Sequence, residues 1–91
     1  MEENAKIEAL VNEVVRLEPT KVFRGGKVRM WQRDGFRVLE QNPEKESKYG
    51  KLKQAGNDVF WYITKGPDGF EEWKLVLNGK VTQKEDVKWC K

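Results

Sequence analysis

Six positive charges and a single acid, Asp34, lie between Lys21 and Arg37, and four of the five arginines fall there: Arg24, Arg29, Arg33 and Arg37. Phe23, Trp31 and Phe36 are interleaved with them. Guanidinium groups meet phosphates through a planar fork of donors, and aromatic rings offer faces on which bases stack. Such a combination suits nucleic acid. Exposed Arg and aromatic side chains are equally the anchors of protein interfaces. Lys48, Lys51 and Lys53 add cations downstream, and they extend the patch if their helix lies beside the same sheet edge.

Other chemistry finds less material. The chain has no histidine, which removes the commonest general acid–base residue and the usual partner of a nucleophile. Its one cysteine, Cys90, has only Lys88 and Lys91 as nearby charges and reads as a free thiol; one thiol without imidazole assembles no zinc site. Pro67-Asp68 followed by Glu72-Trp73-Lys74 spells the elements of a PD-(D/E)xK nuclease signature. That chemistry needs both carboxylates on one metal ion. Asp68 falls at a turn apex and Glu72 on the flank, so the two point apart, and Asp68 is better read as a turn former. Gly25-Gly26 lacks the strand–loop–helix setting of a phosphate loop. The expectation is a non-enzyme without metal or cofactor.

The elements that must hold these residues follow from pattern. Ile7, Leu10, Val11 and Val14 recur at helical spacing over residues 4–17, with Leu17 extending the stripe, Asn4 as a cap and Pro19 forcing an end near Glu18. Gly25-Gly26 and Asp34-Gly35 are two-residue hairpin loops. They predict Arg24 opposite Lys27, Phe23 opposite Val28 and Val22 opposite Arg29. Across the second loop they set Arg33 against Phe36, Trp31 against Val38, Met30 against Leu39 and Arg29 against Glu40.

Alternation then separates two faces. Phe23, Val28, Met30 and Leu39 form the expected core side. Arg24, Lys27, Arg29, Trp31, Arg33 and Phe36, with Val22, Val38 and Glu40, form the expected open side. A competing reading has Trp31, Val22, Val38 and Phe36 make a second small core with arginines snorkelling around its rim.

Asn42-Pro43 predicts a short helix to about Ala55, weakened by Gly50 and ended by Gly56. A second hairpin turns at residues 66–69, with Trp61 set against Trp73 and both in the core. Asn78-Gly79 leads to a brief strand around Val81. Thr82 and Glu85 resemble a capping box opening a last helical turn with Val87 and Trp89, the latter a candidate cover for an open end of the sheet.

The composition agrees with a small domain. Ninety-one residues with 37% hydrophobic content support one modest core, led by four tryptophans, four phenylalanines and two tyrosines. Charged residues make up 36%, against roughly a quarter in typical proteins. The net charge of +3 is unevenly spread: five acids and two bases in residues 1–18, ten bases and four acids in 19–53, six of each in 54–91. An acidic helix followed by a basic sheet points to an oriented partner or to self-docking. The opening Met-Glu-Glu-Asn lacks the features of a signal peptide, and no apolar run approaches a membrane span, so a cytoplasmic location is expected.

The sequence therefore predicts one α+β domain over 1–91. An N-terminal amphipathic helix packs on a twisted antiparallel sheet of five to six strands, and a short helix is inserted after the third strand. The expected function is non-catalytic nucleic-acid binding: Arg24, Lys27, Arg29 and Arg33 at phosphates, Trp31 and Phe36 against bases, and Lys48 and Lys51 at the margin. The alternative is a small protein-interaction module, an adaptor, inhibitor or small subunit, using the same face.

Overall fold

The computed structural model describes residues 2–82; the expected last helical turn with Val87 and Trp89, and Cys90, lie outside them. Helix α1 (Glu2–Val14) leads into strands β1 (Lys21–Phe23), β2 (Val28–Arg33) and β3 (Phe36–Gln41). Helix α2 (Lys48–Gln54) follows, then β4 (Val59–Gly66), β5 (Gly69–Leu77) and β6 (Lys80–Thr82). All six strands form one antiparallel sheet in sequence order. The α+β architecture is the expected one, with six strands and the second helix after the third.

The helices cover opposite faces. On one face Ile7, Val11 and Val14 of α1 pack with Trp31, Val38, Phe60, Tyr62 and Val76, and half-buried Phe36 and Val81 adjoin them. On the other, Tyr49 and half-buried Leu52 of α2 pack with Val59, Trp61, Ile63 and Leu75. Val59–Ile63 of β4 are buried without a break because both faces of that strand are covered.

The expected assignment of faces is therefore corrected. The long helix lies on the side expected to be open, and Trp31 is 0% exposed beneath it. Phe23, assigned to the core side, is 42% exposed, while Met30 and Leu39 are half-buried. The physical reason lies in the second hairpin. Phe60, Tyr62 and Val76 fall in line with Trp31 and Val38 and make that face the wider apolar surface, which the longer helix buries.

Local chemistry accounts for the element ends. Helix α1 stops three residues early and closes through Val15, Arg16 and Leu17 in a tightened turn. The Trp31 indole N–H donates to the Leu17 carbonyl at 2.8 Å, so the ring also anchors the helix exit. Helix α2 begins at Lys48 instead of Pro43. Ser47 caps it, its hydroxyl accepting from the Gly50 amide at 2.9 Å and donating to the Glu44 carbonyl at 2.7 Å. Gly50, expected to weaken the helix, is what lets this turn close: a Cβ there would lie 1.6 Å from the Glu44 carbonyl oxygen.

Registers follow the turns. Asp34-Gly35 sets β2 against β3 with all four expected pairs. Phe23–Val28 and Val22–Arg29 also pair as expected. Arg24 and Lys27 do not, because Arg24, Gly25 and Gly26 all have positive φ and coil into a single 3-10 turn that lifts both cations off the ladder. Trp61 lies opposite Leu75, and Ile63 opposite Trp73. That is a two-residue offset from expectation, which keeps Trp73 on the same face as Trp61, but Trp73, expected in the core, is 42% exposed.

Candidate nucleic-acid interface

In a meander the connections alternate between the two ends of the sheet. The β1–β2 turn and the β3–α2–β4 connection share one end, while the Asp34-Gly35 and Pro67-Asp68 turns share the other. This arrangement divides the cations that the sequence groups together. Arg24 and Lys27 stand at the α2 end. Arg33 and Phe36 stand at the opposite end, a six-residue strand or roughly 20 Å away.

Between the ends, Arg29 is engaged within the fold. Its guanidinium meets Glu40 Oε1 through Nε at 2.7 Å and through a terminal nitrogen at 2.6 Å. The same group lies 5.1 Å from the centroid of the Trp31 ring. Arg29 thus closes over the buried indole and neutralises a carboxylate. Half-buried Phe36 stacks on Tyr62 at 5.4 Å, and Arg33 turns back to the Gln32 carbonyl at 2.9 Å.

Of the two rings expected to face bases, Trp31 is thus enclosed. It donates its N–H inside the protein and meets Phe60 edge-on at 6.0 Å. A ring with no accessible surface has no face on which a base can stack, so its expected role is corrected.

What the fold brings together is a different set. A pocket of about 380 Å³ opens at the α2 end, lined by Lys27, Lys45, Lys53, Asn42, Gln54, Pro43 and Gly50. Three elements contribute its lysines: the β1–β2 turn, the β3–α2 connection and α2 itself. Lys53 Nζ is 3.3 Å from Glu40 Oε2, so one carboxylate faces both Arg29 and Lys53. Glu44 and Glu46 adjoin Lys45 in sequence, but neither lines the pocket.

At about 100° per residue around α2, Gly50, Lys53 and Gln54 share one flank, while Lys48 and Lys51 fall on the other. Lys48 lies 5.7 Å from the Tyr49 ring centroid. Of the eight residues singled out from sequence, only Lys27 lines the pocket, with Arg24 three residues earlier in the same turn.

Lys45, Asn42 and Gln54 were not in the expected set. Their convergence depends on α2 starting late at Ser47, which leaves residues 42–46 as a connector beside the β1–β2 turn.

A second pocket of about 310 Å³ lies between α1 and the sheet, lined by Glu3, Lys6, Ile7, Leu10, Tyr62, Thr64, Glu72 and Lys74. Lys74 meets Glu3 at 3.5 Å and Glu72 at 3.4 Å, so both carboxylates of the lining are paired with it. Burial raises the Tyr62 phenol above its ordinary range, against the opposing pull of Lys74. Asp68 sits in the exposed turn between Gly66 and Gly69, as expected. No cluster of three metal-ligating side chains occurs among the described residues, and no helix among them is long and apolar enough to cross a membrane. Comparisons with family models, curated proteins and solved structures find no match for this chain.

Proposed function

We propose that this protein is a non-catalytic nucleic-acid-binding module that holds phosphates at the α2 end of its sheet. The observation that carries the reading is the convergence of Lys27, Lys45 and Lys53, from three separate elements, on one concavity. Glu40 pairs with Lys53 and is already shared with Arg29, and no carboxylate residue lines the hollow among the described residues. Like charges gathered around a hollow repel one another, and a phosphate relieves that repulsion while releasing its own counterions. Arg24, beside Lys27 in the turn, extends the contact along a backbone. No aromatic ring lines the hollow, so binding rests on phosphates and discriminates little among sequences.

The test is oligonucleotide binding by fluorescence anisotropy, using Lys27→Glu combined with Lys45→Glu. Both side chains are exposed, so the exchange leaves the core intact. Affinity should fall by more than about tenfold at low salt. Arg33→Glu, at the far end, should change it little. Equal losses from both variants would show that the α2 end has no special role.

A protein-docking reading has its own observation. Trp73 is 42% exposed on the α2 face and meets Trp61 edge-on at 5.7 Å. A half-exposed indole on a supporting ring is a suitable anchor for a partner. Trp73→Ala separates the readings: oligonucleotide binding survives it if phosphate contact at the α2 end is the function.

A further inference from the structure

Resting on that reading, we infer that the Lys27–Lys45–Lys53 pocket takes a phosphate monoester, the terminal phosphate of a nucleotide or strand, in preference to a phosphodiester within a strand. The hollow is half open, with a volume of about 380 Å³, near the lower end of the roughly 300–1,000 Å³ typical of small-ligand sites. A terminal phosphate has one covalent tether and enters a hollow end-on. An internal phosphate has two, and both strand directions must be accommodated along the open side.

Charge points the same way. A monoester carries about 1.5 to 2 negative charges at neutral pH, where an internal diester carries one. Three lysines line the hollow and, among the described residues, only Lys53 is paired with a carboxylate, Glu40, which it shares with Arg29; that excess matches the larger charge.

The remaining lining suits the nucleoside attached to such a phosphate. Asn42 and Gln54 carry side-chain amides, which offer paired donors and acceptors to base edges. Pro43 is buried and forms an apolar wall. Gly50 leaves bare backbone in the lining, and close packing against Glu44 forbids a side chain there. Cations and amides lining one hollow are the needs of a single nucleotide.

The experiment compares one short labelled single strand in three forms: 5′-phosphorylated, 3′-phosphorylated and with hydroxyls at both ends. Each is titrated into the intact chain and into Lys45→Gln combined with Lys53→Gln. Circular dichroism melting checks that the variant remains folded. Glu40 keeps its Arg29 partner in that variant.

A preference on the order of tenfold for a phosphorylated end is expected, because charge-assisted hydrogen bonds are the stronger class. The double variant should lose that preference. Competition by a nucleoside monophosphate would assign the free nucleotide as occupant, and phosphorylated-end preference without competition would assign the strand terminus. Equal affinity for all three strands would overturn the inference while leaving phosphate contact intact. No binding of any strand would remove both.

Discussion

Trp31 shows how one residue can serve a different purpose from the one its neighbours suggest. Arginines on either side make it look like a stacking platform, yet it fills the centre of the α1 face and donates to the Leu17 carbonyl. Trp31→Ala should therefore act on stability, costing about 3–5 kcal/mol in urea-induced unfolding, as large aromatic truncations do in cores. Gly50→Ala should also destabilise, by about 1–3 kcal/mol in the same assay, because its methyl group would overlap the Glu44 carbonyl.

Tyr62 and Lys74, facing each other across β4 and β5, give a pH signature. Burial raises the Tyr62 phenol, with Lys74 opposing and Glu3 and Glu72 adding to the rise. Burial pulls the Lys74 ammonium down, but Glu3 and Glu72 outweigh it and the net direction is upward. Both groups hold their protons to higher pH folded than unfolded. Their contribution is complete below about pH 10 and is lost as pH rises through the folded values. Thermal melts across this alkaline window should show Tm falling with pH, and less steeply for Tyr62→Phe. A parallel fall in both proteins would assign the effect elsewhere.

At the scale of elements, α1 does two jobs. It buries one sheet face, and it covers the β6 edge. The Val81 amide donates to Glu8 Oε2 at 2.6 Å, and the Asn12 amide reaches the Gly79 carbonyl at 3.5 Å. An unguarded strand edge invites pairing with other chains, and a carboxylate accepting its N–H closes one such position. Glu8→Ala should cost about 1–3 kcal/mol by leaving a partly buried donor unpaired, with faster hydrogen exchange at Val81.

The elements also show what the sequence made legible. Tight turns determine register, so Asp34-Gly35 and Asn78-Gly79 placed their hairpins correctly. The stripe Ile7, Val11 and Val14 identified the helix and its buried side. Which sheet face that stripe covers was not legible. Alternation sorts side chains into two sets but does not rank them when both are apolar, and the deciding residues, Phe60, Tyr62 and Val76, belong to a distant hairpin. The pocket was hidden for a related reason. Lys27 and Lys45 are far apart in sequence, and their approach depends on how the 42–46 connector leaves β3.

At the scale of the whole molecule, the charge asymmetry acquires a direction. The basic middle of the sequence divides between the two ends of the sheet, and the α2 end gathers lysines around a hollow. The acidic helix α1 lies across the opposite face from α2, where Glu8 and Glu3 serve internal contacts to Val81, Lys80 and Lys74. A polyanion should therefore approach the α2 end in a preferred orientation, steered by a field that salt screens. The most direct measurement is the affinity for a single-stranded oligonucleotide at several salt concentrations, for the native chain and for Lys27→Glu combined with Lys45→Glu. With three or four phosphates engaged, the native log–log slope should be about −2 to −3, and the variant's slope should be shallower with its affinity reduced. Undiminished affinity and an unchanged slope in the variant would contradict phosphate binding at this end of the sheet.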